Sequence, residues 1–365
     1  MRILYLTESM QWSGGAEQLL LMAVALRQRG HDLVLGCQPG SEIMARAAAQ
    51  GIPTEPVRMR QDYDVPASLT VAQLLKKLKS DVLHAQHSTA HAIGLMAAVW
   101  TKVPVFAVTR RVIFPIKKNI FSWLKYRSSR INGYVAISGA VKGELLKAGI
   151  PPAQIEVIPS VMNSLTAPRD EGLALRRELG LPVDRPLIGT VANYAEIKGH
   201  EYLIEAAAEV VKRYPQAHFL IAGRDTEKLQ PKVDRLGLTG SVLLVGFRRD
   251  VPRILAALNI FVLPSLMEAA GTALREAMAV GLPSIGTRVG GIPDSISHEE
   301  TGLLVPPANA SELASAIQRY LEKPEWAKAM GDRGQLWVKK QFSLEHAAQQ
   351  MEAFYQRLLA GVSSS

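Results

Sequence analysis

Short apolar runs recur along the chain, separated by longer stretches in which apolar positions return every third or fourth residue. RILYL (2–6), DLVLGC (32–37), DVLHA (81–85), VPVFAV (103–108), GYVAI (133–137) and IEVIPS (155–160) are continuous and predict buried strands. AEQLLLMAVALRQRG (16–30), VPASLTVAQLLKKLK (65–79) and SGAVKGELLKAG (138–149) keep the helical period, and the chemistry of their ends fits helix termini. The second half repeats this rhythm. PLIGTVAN (186–193), HFLIAG (218–223), SVLLVG (241–246), NIFVLP (259–264) and PSIGT (283–287) predict strands. HEYLIEAAAEVVKRY (200–214), VPRILAAL (251–258) and GTALREAMAVG (271–281) predict helices. Strands that are apolar throughout and alternate with helices belong to parallel sheets covered on both faces. The expected fold class is therefore α/β, with two Rossmann-like domains facing one another across a cleft. The first spans 1–165 and the second 166–341, with a join near 160–186, where SVMNSLTAPRDEG is polar and carries proline and glycine.

A length of 365 residues supports two cores, and 48% apolar with 21% charged residues is the composition of a globular chain. One cysteine, Cys37, permits no internal disulfide, which suits a reducing compartment. The opening MRILYLTES is interrupted by Glu8 too early for a signal peptide, and no apolar run approaches the ~18 residues of a membrane span. A cytoplasmic protein is expected, peripheral at most on the inner face of the plasma membrane. The net charge of +9 is unevenly placed: residues 1–165 hold 19 Lys+Arg against 10 Asp+Glu, and the remainder is balanced. Much of the excess lies in RRVIFPIKKNIFSWLKYRSSR (110–130), which has seven cations, no acid, and Phe114, Phe121, Trp123 and Tyr126 between them. Interleaved cations and aromatics suit an anionic membrane surface, with Lys117, Lys118 and Lys125 as the charges to reverse. An ordinary amphipathic helix is the plain alternative. Nucleic acid is not an expected partner, because no recognition motif accompanies the charge.

Chemistry concentrates where strands hand over to helices. In WSGGAEQ (12–18), Gly14 and Gly15 allow close backbone approach at a helix N-terminus, which favours negative charge. Lys198 precedes Gly199 at the mouth of a helix, where a lysine can meet a phosphate. In PSLMEAAGTALREAMAVGLP (264–283), Glu268 sits on the turn, Ala269, Ala270 and Gly271 leave helix N–H groups accessible, and Glu276 lies inside the helix. No G-x-G-x-x-G follows any strand, which disfavours a nicotinamide dehydrogenase. The DYD triplet (62–64) and the spaced His84, His87 and His91 are weak metal candidates, because neither has the strand-end or ligand context a metal needs. No metal site is expected.

In order, the GGAE turn, DVLHAQH, VAISGAVKGELLKAGIP, IEVIPS, the IKG turn, LPSLMEAAGTALREAMAVGLP, TRVGGIPD and ETGLLVPP resemble the retaining glycosyltransferases of family 4 (group 1), which have the GT-B architecture. The resemblance implies sugar transfer from a nucleotide-diphosphate donor, UDP- or GDP-linked, with no metal and no cofactor. Glu276 would hold the ribose. Glu268 and the Ala269–Ala270–Gly271 turn would hold the sugar, and Lys198 the diphosphate, so that Glu268 and Lys198 are the expected catalytic pair. Gly14 and Gly15 would close over the phosphate side. The C-terminal helix, within 342–365, would cross back to the first domain. Three departures stand out. Ala192 and Asn193 replace a glycine–arginine pair on the donor side, E-A-A-G replaces E-G-F-G, and the histidine expected after VPVFAV gives way to Thr109-Arg110-Arg111, Arg111 fitting best. Arg110 or Arg111 would then reach the donor or an anionic acceptor, and His84 or His87 a sugar or acceptor. A saccharide or lipid-linked acceptor in lipopolysaccharide or exopolysaccharide synthesis is expected. A sugar-nucleotide epimerase and a noncatalytic nucleotide-sugar-binding protein are the alternatives.

Overall fold

The computed structural model describes residues 1–116, 119–161 and 167–363. Lys117 and Lys118, and part of the expected join (162–166), lie outside them. The chain divides into two compact units, Met1–Val161 with Leu344–Ser365, and Met162–Ser343.

The first unit is built on seven strands: β1 (Arg2–Thr7), β2 (Asp32–Cys37), β3 (Thr54–Pro56), β4 (Val82–Ala85), β5 (Val105–Arg110), β6 (Gly133–Ala136) and β7 (Ile155–Val157). They pair in the order β3-β2-β1-β4-β5-β6-β7, every pair parallel. The second unit holds β8 (Leu187–Val191), β9 (His218–Ala222), β10 (Val242–Gly246), β11 (Ile260–Leu263), β12 (Ser284–Thr287) and β13 (Leu303–Val305), ordered β10-β9-β8-β11-β12-β13 and also parallel. Two all-parallel sheets with helical crossovers are the expected α/β class. Strand order reverses between β1 and β4 and again between β8 and β11, and in open α/β sheets such reversals open a crevice at the strands' carboxyl ends.

The helix Leu344–Ser363 completes the first core. Ala347, Ala348, Met351, Phe354 and Tyr355 are buried there with Val105, Ala107 and Val135. Each large side chain so buried contributes about 1.5–3 kcal/mol. Polar groups fix its seating: the Tyr355 hydroxyl meets Tyr5 Oη at 3.1 Å and His84 Nδ1 at 2.5 Å, and Arg29 pairs with Glu345 and Glu352. Among the described residues no helix is long and apolar enough to cross a membrane.

Candidate functional site

In the second unit the reversal between β8 and β11 launches two loops, and backbone bonds join them. Past β8, Asn193 is exposed and its Oδ1 accepts from the Arg224 N–H at 3.0 Å. The chain then makes a 3-10 turn, Glu196–Lys198, and leaves it through Gly199 at φ +66°. The Ile197 carbonyl accepts from Leu266 N (2.8 Å) and Met267 N (3.1 Å), which zips this turn to the loop after β11. The zip brings Lys198 Nζ within 2.7 Å of Glu268 Oε2. A third loop clamps Glu268 from behind, its carbonyl accepting from Gly291 N at 3.0 Å. Gly290, at φ +52°, passes so close that a Cβ there would lie 1.7 Å from that carbonyl oxygen, so glycine is required.

Beyond Glu268, Ala269 is half-buried and Ala270 buried, and Gly271 at φ +68° opens the helix Thr272–Ala279 with no side-chain cap. An uncapped helix start presents N–H donors and partial positive charge. Glu276, half-buried on the same helix, stands about 7.5 Å further along the axis than Gly271 at 1.5 Å per residue. Glu268, the helix start and Glu276 therefore form a line of unlike groups: a carboxylate, donor N–H groups, and a second carboxylate.

Two cations here were not picked out by sequence reasoning. Arg275 is fully buried, its guanidinium 3.8 Å over the Phe342 ring with Nε donating to Ser295 Oγ at 2.8 Å; burial pulls it down to about 10. Arg224 lies 4.7 Å over the exposed Phe247 ring, beside Asn193. Arg224 was legible only as a charge immediately after a predicted strand, and Arg275 carried no signal at all.

In the first unit, side chains organise the reversal between β1 and β4. Ser13 Oγ caps the helix Gly14–Gln28 through Ala16 N (3.3 Å), leaving Gly14 exposed and Gly15 half-buried. Thr7 Oγ1 bonds His87 Nδ1 at 2.9 Å, and Arg111 Nη2 donates to Gln86 Oε1 at 2.8 Å. A Cβ on Gly15 would lie 3.3 Å from His87 Nε2 and 3.5 Å from Arg111 Cδ, so these three residues converge. Burial holds His87 near 4 and Arg111 near 10; His87 is neutral and Arg111 charged at neutral pH. Glu8, read from the sequence only as an interruption, accepts from the N–H groups of Thr89 (3.0 Å) and Ala90 (3.1 Å) at the start of the helix Ser88–Thr101.

Other expected contacts are not available. His84 is fully buried between Tyr355 and Thr109 Oγ1 (2.7 Å), held near 3 by burial, and cannot touch an acceptor. Arg110, the last residue of β5, does not share the partners of Arg111, which follows the strand. Arg110 is buried, bonded to Tyr126 Oη (2.7 Å) and to the Phe114 carbonyl. Of the expected cation pair, then, only Arg111 stands at the crevice.

The basic segment also departs from expectation. Lys125 is buried, paired with Asp62 at 2.8 Å and bonded to Ser88 Oγ at 2.9 Å, so it cannot face lipid. Arg130 donates to the carbonyls of Ala98 and Val103. The apolar members turn outward instead: Phe114, Ile120, Trp123 and Leu124 are exposed, and a groove of about 950 Å³ runs past Pro115, Ile116, Ile120, Trp123 and Ala148. In the DYD triplet Asp62 serves that ion pair, and Asp64 caps the helix Val65–Leu78 through Ala67 N at 3.1 Å.

Two parallel sheets with carboxylates, cations and helix starts gathered at their order reversals define an α/β protein of the kind that binds ligands at such reversals, and the comparisons give its family. The family described as Glycosyltransferase Family 4 matches residues 12–163, and Glycosyl transferases group 1 matches 173–337. The chain belongs to this family, the family 4, group 1 glycosyltransferases of GT-B fold. It is 25% identical to an N-acetyl-alpha-D-glucosaminyl L-malate synthase of Bacillus anthracis over 81% of this chain and 80% of that protein. It is 28% identical to an Escherichia coli UDP-Gal:alpha-D-GlcNAc-diphosphoundecaprenol alpha-1,3-galactosyltransferase over 71% of each. The crystal structure of Anabaena HepE in complex with UDP superposes with a TM-score of 0.86 at 23% identity, covering 98% of this chain and all of that one.

Proposed function

We propose that this glycosyltransferase moves a sugar from a uridine diphosphate donor to an acceptor hydroxyl, with retention of configuration and without a metal, in the assembly of a cell-surface glycan in the cytoplasm. The observation that carries the reading is the Lys198–Glu268 contact beside the uncapped helix start at Gly271. The leaving diphosphate gathers negative charge as its bond to the sugar breaks. Lys198 and the first-turn N–H groups meet that charge, which is the largest catalytic term available to such a site. Arg224, two residues past β9 and bonded through its N–H to Asn193, supplies the second cation that Asn193 lacks. Glu276 takes the ribose hydroxyls, and Glu268, released from Lys198 by the incoming phosphate, takes hydroxyls of the sugar.

Retention through a double displacement would need a carboxylate nucleophile. Glu268, once freed from Lys198, is assigned to hydrogen bonding with the sugar and not to attack on it. The bond from the acceptor oxygen to the sugar carbon therefore forms on the face from which the phosphate oxygen departs, and that oxygen takes the acceptor proton. The exposed apolar face around Trp123 and its groove suit a lipid-linked acceptor or a membrane surface. An undecaprenol-linked acceptor named for the Escherichia coli relative supports this, and the L-malate in the name of the Bacillus anthracis relative supports small acids as well.

A thermal-shift panel of UDP- and GDP-sugars tests the donor, because a ligand of the native state raises the melting temperature with concentration. UDP-sugars are expected to do so; a flat response to every nucleotide sugar overturns the reading. Glu268→Gln should lower kcat by about 10²–10³-fold, the scale of losing one transition-state hydrogen bond. A glycosylated enzyme peptide in mass spectra would overturn the front-face route.

A further inference from the structure

Arg111 is a half-buried cation without a counter-charge, and its Nε is fully buried. Among the described residues no carboxylate pairs with it: the Gln86 amide is its hydrogen-bond partner, and its buried Nε has none. The groups around it are uncharged, since Tyr5 and Tyr355 are buried phenols bonded to one another, His84 lies between Tyr355 and Thr109, and His87 is held by Thr7. Glu8 leaves the same strand end but spends both carboxylate oxygens on Thr89 and Ala90. A partly desolvated guanidinium with a buried, unpartnered N–H and no anion carries a cost, and a ligand that brings the missing charge offsets it. The cavity of about 20 Å³ that Arg111 lines with Tyr5, Gln18 and Ser160 is too small for an oxyanion. Approach is therefore from the side of the exposed Gly14 and half-buried Gly15, where a Cβ on Gly15 would touch both His87 and Arg111.

We infer that Arg111, with His87 and the Gly14–Gly15 turn, forms an anion site in the first unit that seats a carboxylate or phosphate of the acceptor. The planar guanidinium has donors beyond the one Nη2 gives to Gln86, and the neutral His87 adds a ring nitrogen without adding charge. The inference rests on the proposed transfer reaction, because it assigns the anion to the acceptor. The donor's own phosphates are the other source of the same chemistry.

Thermal shift of the full chain separates these sources. With UDP saturating, inorganic phosphate and succinate should each raise the melting temperature above sodium chloride at matched ionic strength. Arg111→Gln should weaken that anion response by about tenfold or more in apparent Kd, as expected for losing a charge-assisted hydrogen bond, while the shift caused by UDP stays as in the wild type. Arg111→Lys, which keeps the charge and loses the fork, should retain part of the response. An Arg111→Gln variant that responds to anions like the wild type overturns the site. A variant that loses the UDP shift as well overturns the acceptor assignment, because the guanidinium then serves the donor. If UDP alone shifts nothing, the donor reading has failed, and the Arg111 dependence of phosphate binding without UDP still decides whether the site exists.

Discussion

The two units share a strand order through their first six strands, yet they hold the cations at their carboxyl edges in opposite ways. In the second unit Lys198 is paired with Glu268 at 2.7 Å, and the loops that present the pair are tied to one another by backbone bonds. In the first unit Arg111 has no carboxylate, and side chains set its surroundings: Thr7 on His87, Arg111 on Gln86, Glu8 on a helix start. A paired cation is inexpensive to keep and must exchange partners when ligand arrives. An unpaired one is costly to keep and needs no rearrangement. Geometry set by main chain also tolerates side-chain change and fails at glycine, whereas geometry set by side chains fails one residue at a time.

Glycine substitution should separate the units most sharply. Gly290→Ala places a Cβ 1.7 Å from the Glu268 carbonyl, at φ +52°, so the second unit's loop must move. We expect a loss of at least about 3 kcal/mol and of transfer activity. Gly14→Ala meets nothing within 4 Å and should change stability by less than about 0.5 kcal/mol. Equal melting temperatures for the two variants would erase the contrast.

Within the first unit, His84→Ala should cost about 2–4 kcal/mol by stranding Tyr355 and Thr109 in the core, against less than about 1 kcal/mol for His87→Ala, whose ring lies at the loop. Both histidines carry a pH signature. Their folded values, about 3 and about 4, lie below the ordinary 6.5, so the unfolded chain takes up protons first. Stability should be flat above about pH 6.5 and fall as pH drops toward 4 and then 3, and His84→Ala should flatten that slope in melts recorded across the range. The smallest effect is expected on the outer face. Trp123→Ser with Ile120→Ser should lower co-sedimentation with anionic vesicles while leaving the melting temperature unchanged, since both side chains are exposed.

Where the chain repeats a physical pattern, that pattern was readable. Runs such as DLVLGC and NIFVLP are apolar because both faces of a parallel strand are buried, and the turns carrying Gly15, Lys198 and Glu268 follow directly from where those runs stop. Short edge strands escaped: TEP (54–56) is only partly buried and LLV (303–305) is too brief to show a period. Side-chain direction escaped too. Arg110 and Arg111 are equivalent in the sequence, and only the packing of Tyr126 decides which of them is spent. The cations of 110–130 looked like a surface, yet Lys125 answers Asp62 from sixty-three positions away. Such long-range pairing has no local signature.

The hydrogen-bonded seat of Tyr355 on His84 and Tyr5 has a consequence for synthesis. The first unit's sheet is translated by Val157, but Met351, Phe354 and Tyr355 reach it only after the entire second unit has been made. Domains fold as units while the chain emerges. Here the first unit starts before the second and is completed after it, with its polar core chain of tyrosine and histidine open until the helix Leu344–Ser363 leaves the ribosome.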